Sequence, residues 1–402
     1  MLFKINFRTY IILVHFFCAA FGLSQNERST PNFFMDPFLL YDTMFLNVNL
    51  PEINIQAKEN FDENLVSLRL DSLNKLTPIN LVYNKTVGQY IKFYLQQRPD
   101  QVSKLLTLSD YYFPVFEEYL DKNSMPLELK YLPIIESALN PNAKSPAGAV
   151  GLWQFMYYTA KEYGLRINSY LDERKDIYKS TDAACRYLKK AYKVFNDWEL
   201  SLASYNCGRG NVTKALRRSG GKLNYWEVRP FLPRETRNYI PAFISIVYVM
   251  NYASQHGIFP DTSYSFHRHT IDSVYLKRPV KISHLAKVLD VEEKMLETLN
   301  PVYRNKLVPY KNGEMFHVIL PDYKWGVFLN NEDSIYSLLS EMEALEDLEY
   351  PLFSDIEKVK HIVKRGDYLG RIARTYKCKV SDIMMWNDLK STKIREGQRL
   401  YI

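Results

Sequence analysis

A single carboxylate with apolar neighbours defines the chemistry this chain could perform. Glu136 lies in the run Lys130-Tyr-Leu-Pro-Ile-Ile-Glu136-Ser-Ala-Leu-Asn-Pro141, flanked by Leu132, Pro133, Ile134, Ile135, Ala138 and Leu139. Desolvation disfavours the ionised form of a carboxyl group and raises its pKa, which is what a general acid needs. Taken alone, the run also fits a glutamate on the polar edge of an amphipathic helix. A loop rich in Gly, Pro, Ser and Ala follows and ends in Gly151-Leu152-Trp153-Gln154. Further along come Ala203-Ser204-Tyr205-Asn206-Cys207-Gly208 and Glu235-Thr236-Arg237-Asn238-Tyr239, two more runs dense in side chains that donate and accept hydrogen bonds.

The elements that must position these residues are helices. Val87, Ile91, Tyr94 and Leu95 recur at helical spacing, as do Leu105, Leu108, Tyr112, Val115, Phe116 and Tyr119. A helix is predicted from Ser124-Met125-Pro126 through Glu136 to Asn140-Pro141, with Pro133 forcing an irregular turn just before the glutamate. Ser180 or Thr181 is expected to cap a long helix whose stripe includes Ala184, Leu188 and Ala191. A helix over Leu200–Tyr205 should break at Gly208 and Gly210, and a very apolar one through Phe243, Ile246 and Val247 closes the region. Beyond it, Ile271–Leu276 and Phe316–Leu320 read as strands and His284–Leu289 and Lys294–Leu299 as short helices, with an acidic spacer helix at Glu332–Asp347. The last residues read as strand, two helices and strand.

The chain has 402 residues, enough for two or three domains, and 47% are hydrophobic. A basic start with Lys4 and Arg8, an apolar run Tyr10–Phe21 and a small-residue boundary predict a secretory signal peptide over residues 1–24. Its removal takes the formal charge from +7 to +5, which suits an anionic polymer partner. No dense Lys/Arg tract points to nucleic acid. Cys185, Cys207 and Cys378 are too few for a disulfide scaffold, and a Cys185–Cys207 bridge stays open. His267 and His269 lack a third ligand in view, so neither a metal nor a cofactor is expected. The domain reading is 25–85 an N-terminal extension, 86–255 an all-helical domain, 256–350 a connector and 358–402 a C-terminal module.

That module resembles LysM through His361-Ile-Val, Gly366-Asp367, Ile372-Ala373, Val380, Trp386-Asn387, Ile394 and Gly397-Gln398. The resemblance implies a βααβ fold and glycan contacts near Gly366, Asp367, Tyr368, Trp386 and Asn387. Val274–Leu320 resembles a degenerate copy without the Gly-Asp turn, and no binding is assigned to it. The helical region resembles lytic transglycosylases with a goose-lysozyme-like fold, of the membrane-bound D type. Glu136-Ser137, the Gly151–Gln154 run, the Ala203–Gly208 run and the Glu235–Tyr239 run match the family's motifs in order, with Cys207 where alanine is common.

The resemblance implies a mainly α, lysozyme-like catalytic domain that cuts the MurNAc-β-1,4-GlcNAc bond of peptidoglycan without water. Glu136 would act as acid and then base, yielding a 1,6-anhydro end. Ser137, Gln154, Tyr205, Asn206, Glu235 and Tyr239 would hold the sugar or the acid. Partners would be glycan strands, location the periplasm or cell envelope, with membrane or cell-wall association open and oligomeric state unspecified. Two alternatives stand beside this reading. One is a hydrolytic muramidase using Asp172, Glu173 or Glu235 as second carboxylate. The other is a non-catalytic wall-binding scaffold.

Overall fold

A computed structural model of the chain describes residues 61–261, 271–346, 360–376, 378–387 and 389–402. The expected signal peptide, residues 25–60 and the His267/His269 pair lie outside them. The helical body contains α1 (Glu63–Asn74), α2 (Lys85–Gln97), α3 (Pro99–Lys122), α4 (Leu132–Ser137), α5 (Tyr157–Glu162), α6 (Ile177–Phe195), α7 (Trp198–Cys207), α8 (Arg209–Arg218), α9 (Tyr225–Val228) and α10 (Tyr239–Tyr252). Asp62, Asn84, Asp176 and Asp197 start α1, α2, α6 and α7 by accepting backbone N–H groups of the first turn on their side-chain oxygens.

Helix α10 is apolar on every side and therefore central. Ile240, Phe243, Ile244, Ile246 and Val247 are at most 1% exposed. It packs against α2, α3, α4 and α7, so Glu136 and the Tyr205–Asn206 pair are carried by elements that share one core. Burial of each such side chain contributes about 1.5–3 kcal/mol.

Four local expectations are corrected. The helix around Glu136 is split into a 3₁₀ turn (Leu127–Tyr131) and α4, and it stops at Ser137 because Ala138 and Leu139 turn left-handed with φ of 51° and 59°. Asp176, not Ser180 or Thr181, caps α6; those hydroxyls are buried and donate to the carbonyls of Asp176 and Ile177. Gly208 (φ 84°) breaks the chain as expected, but Gly210 lies inside α8, a helix the sequence reading left as a turn. The acidic helix is not a spacer, because its Ile335 and Leu339 are buried in the core of the module at 271–345.

Residues 271–345 form a module of β1 (Ile271–Leu276), β2 (Val280–Lys281), α11 (Ile282–Leu289), α12 (Glu293–Leu299), β3 (Leu307–Val308), β4 (Phe316–Pro321), α13 (Asp322–Asn330) and α14 (Glu332–Leu345). Strands β1 and β4 pair antiparallel from Ile271↔Pro321 to Leu276↔Phe316, and β2 pairs with β3. Val274, Val280, Leu285, Val318 and Leu320 make the core, and Phe328 of α13 with Ile335 and Leu339 of α14 complete it. Of the acidic residues of α14, Glu343 is itself buried and pairs with Arg278 at 2.6 Å. The C-terminal unit has β5 (Lys360–Ile362), α15 (Leu369–Thr375), α16 (Val380–Trp386) and β6 (Arg399–Tyr401), with β5 and β6 antiparallel over Val363, Leu369, Ile372, Ile383 and Leu400. The mainly α body with a βααβ unit matches the fold class read from the sequence.

Candidate active site

Glu136 is the penultimate residue of α4, between a fully buried Ile134 and the buried Ser137. Its side chain stays partly accessible. Burial pushes its pKa up to about 7, against the opposing pull of a hydrogen bond from Tyr239. The Tyr239 hydroxyl, at the first turn of α10, donates to Glu136 Oε1. Burial, reinforced by the Glu136 charge, holds the Tyr239 hydroxyl far above its ordinary pKa, so it remains a donor.

The Gly151–Gln154 turn packs beneath this pair. Gly151 has φ of 91°, and a Cβ there would lie 1.9 Å from the Arg174 carbonyl oxygen, so only glycine fits. Ser137 shares its hydroxyl proton between the carbonyls of Pro133 and Leu152, each at 2.9 Å, and thereby ties α4 to the turn. Tyr205 donates to the Trp153 carbonyl at 2.7 Å. Burial first, then the nearby Glu136 charge, raises the Tyr205 pKa. Trp153 is fully buried, with its indole N–H on Thr181 Oγ1 at 2.9 Å and its ring edge-on to Phe116.

Gln154 is held at φ 47°. Its Nε2 donates to Gly151 O at 2.9 Å and Ala143 O at 3.2 Å, while its buried Oε1 meets no donor among the described residues. Asn206 accepts from Thr236 Oγ1 at 2.8 Å. Glu136, Ser137, Gln154, Tyr205, Asn206 and Tyr239 are thus linked through contacts with one another or with each other's turns. Glu235 is not: it is exposed, with no side-chain partner among the described residues. Thr236 belongs to the Glu235–Tyr239 run, which assigns it no role; its side chain reaches Asn206. Tyr187, whose ring lies 5.1 Å from that of Tyr205, lies outside the four motifs, and nothing in its spacing sets it apart.

Of the three carboxylates considered as a second catalytic group, Glu235 is exposed and the other two are engaged in ion pairs. Asp172 is buried and pairs with Arg174 at 2.8 Å and Arg304 at 3.1 Å. Burial would raise its pKa, but the two guanidinium groups win and hold it below the usual carboxylate value. Glu173 is buried between Arg166 and Lys179.

In the C-terminal unit the expected glycan residues divide. Gly366 takes φ of 88° in its turn. Asp367 closes that turn by accepting Lys364 N–H at 2.8 Å and binding His361 Nε2 at 3.0 Å. The Lys364 N–H, then His361, hold its pKa below the ordinary value. Asn387 donates to Ile383 O and Tyr401 O and accepts Tyr401 N–H at 2.7 Å, so it clamps α16 to β6. Trp386 packs against the small core. Tyr368, 53% exposed, is the aromatic face this turn offers to solvent.

Comparison with known proteins adds the family context. The Transglycosylase SLT domain family matches residues 113–227, a span that contains Glu136, Gln154, Tyr205 and Asn206. That match lies within the helical body. The LysM domain family matches residues 361–402, and the family described as "Lytic transglycosylase MltD, LysM-like domain" matches residues 270–337. The chain is 30% identical over 286 residues to the membrane-bound lytic murein transglycosylase D of Escherichia coli K12, covering 70% of this chain and 61% of that protein. It is 35% identical over 113 residues to the soluble lytic murein transglycosylase of the same organism, covering 26% of this chain and 17% of that one. The crystal structure of the 70 kDa soluble lytic transglycosylase of Escherichia coli aligns with 20% identity and a TM-score of 0.33, over 58% of this chain and 43% of that one. The chain therefore spans about three fifths of the length of the D-type relative. The resemblance to D-type lytic transglycosylases with a LysM module, read from four motifs around the SLT domain, holds.

Proposed function

We propose that the chain is a peptidoglycan lytic transglycosylase in which Glu136 serves as acid and then base. The observation that carries this reading is a single carboxylate, partly accessible, with a pKa near 7 and a tyrosine donor on one oxygen. With its pKa raised into that range, both protonation states are accessible at neutral pH, which suits both halves of a proton shuttle. Protonated Glu136 donates to the glycosidic oxygen between MurNAc and GlcNAc as the C1–O4 bond breaks. The carboxylate then takes the proton of the MurNAc 6-hydroxyl, whose oxygen bonds to C1. The product is a 1,6-anhydro ring, and no water enters. Attack within one sugar gains effective concentration, and the substrate's acetamido group can stabilise the cationic centre, as in substrate-assisted exceptions to the two-carboxylate scheme.

Tyr239 steadies the carboxylate form between the two proton transfers. Gln154 and Asn206 offer amide groups for sugar hydroxyls or acetamides, Ser137 and Tyr205 hold the turn that carries Gln154, and Glu235 has no part in the chemistry. The engagement of Asp172 and Glu173 by arginines and lysine supports this reading over a hydrolase with two carboxylates. The LysM unit would anchor the enzyme on wall glycan through the face around Gly366 and Tyr368, in an exported, cell-envelope setting. Among the described residues no helix is long and apolar enough to cross a membrane.

Mass spectrometry of digested peptidoglycan tests the proposal. Products lighter by one water than reducing ends are expected from the wild type and none from Glu136→Gln. Reducing ends alone would establish a muramidase, and undiminished lysis by Glu136→Gln would remove Glu136 from the mechanism.

A further inference from the structure

The LysM-like module at 271–345 lacks the Gly-Asp turn, yet it is joined to the helical body by a dense set of polar bonds. Leu171 of the body lies within the module's hydrophobic core and bridges Tyr303. Asp172 N–H donates to Val302 O at 3.0 Å, and Arg304 N–H donates to Tyr170 O at 2.8 Å. Arg166 pairs with Glu314 of the module at 2.8 Å.

From this seam a line of bonds runs to the catalytic turn. Arg304 Nη2 reaches Asp172 Oδ2 at 3.1 Å. Asp172 is gripped from the other side by Arg174, through Nε and Nη2, both at 2.8 Å. Arg174 in turn donates from Nη1 to Gly148 O at 3.2 Å and Phe155 O at 3.4 Å, the two ends of the segment holding Gly151–Gln154. The Arg174 carbonyl is the group that a Cβ on Gly151 would strike. The turn then meets Ser137 through Leu152 O and Tyr205 through Trp153 O.

We propose that this module is a brace for the active-site turn rather than a sugar-binding unit, with Arg304 as a positioning residue that acts through Asp172 and Arg174. The inference rests on the assignment of Glu136 as the reacting acid. The buried Asp172 keeps Arg174 when Arg304 is lost, so an Arg304 variant does not strand a charge in the interior. The brace fixes the carbonyls that orient Ser137 and Tyr205, and a small displacement there degrades the reacting geometry without removing any reacting group.

The test uses the full chain carrying Arg304→Gln or Arg304→Lys. Backbone amide exchange is read at Gln154 and Phe155, whose N–H groups bond to Gly151 O and Val150 O. Exchange at both sites should quicken by about tenfold or more in Arg304→Gln while the β1–β4 amides keep wild-type rates. On soluble glycan strands kcat should fall roughly tenfold with KM nearly unchanged, and Arg304→Lys should recover part of the loss. Unchanged exchange at Gln154 and Phe155 overturns the brace, and so does equal loosening of β1–β4, which would mark a general loss of stability. Exchange needs no turnover, so it decides the brace even if Glu136→Gln were to disprove the transglycosylase reading.

Discussion

The two LysM-type units share a strand–helix–helix–strand plan and use their surfaces in opposite ways. The C-terminal unit keeps its Gly366–Asp367 turn, exposes Tyr368 and holds itself together with Asp367 and Asn387. Its ring contacts to the body come from Tyr401 against Tyr157 and Tyr158. The module at 271–345 lacks that turn, has α13 and α14 in its core, and takes Leu171, the Arg166 guanidinium and the Asp172 carboxylate of the body into its seam. On the proposed reading, one copy would grip glycan while the other braces the body. A shared fold therefore does not carry a shared task, and the seam chemistry tells the two apart.

That division can be broken or sharpened by substitution. Glu136→Gln should cost on the order of 10³-fold in cleavage while retention on insoluble wall stays at the wild-type level. The same variant should alter stability with a definite sign. A folded pKa of about 7 against the ordinary glutamate value of 4.5 means that the folded state binds more protons between those values, so stability falls as pH rises through this window. Glu136→Gln should thus be more stable than wild type at pH 8, by on the order of 3 kcal/mol, and indistinguishable near pH 4, as read by urea unfolding. Asn387→Ala removes the clamp on β6 and should unfold the C-terminal unit, costing it about 2–3 kcal/mol. Wall retention should then drop severalfold while cleavage of soluble fragments continues; loss of that cleavage would show that the unit is not independent.

Tyr239→Phe removes a hydrogen bond that favours the charged carboxylate, so the Glu136 pKa should rise further. The alkaline limb of the kcat/KM profile should move up by about one pH unit, and a downward move would contradict Tyr239 as donor. Glu235→Gln should change kcat/KM by less than about twofold, since its side chain is exposed and unpartnered; a large loss would return it to the site.

Much of this arrangement could be read along the chain because it is local. Helical spacing located α2, α3, α6 and α10, and Pro133 marked the irregular turn before Glu136. The cap of α6 was misassigned because Asp176, Ser180 and Thr181 all carry capping oxygens, and only burial decides which of them meets free N–H groups. Helix α8 was missed because its two glycine neighbours mask a start at Arg209. For the site, the motif residues were legible but their tasks were not: Ser137 and Tyr205 face backbone carbonyls, and Asn387 serves its own fold. Arg304 was invisible, since its partner Asp172 lies 132 positions away and no periodicity links them.

Trp153 gives the Gly151–Gln154 turn an optical reporter. Of the five tryptophans in the chain, it is the fully buried one, edge-on to Phe116 and hydrogen-bonded to Thr181. Its emission should lie at the blue end of the tryptophan range. With the other four tryptophans changed to phenylalanine, a red shift would report water reaching this turn. Small movements beside Glu136 could then be followed in solution, without substrate and without turnover.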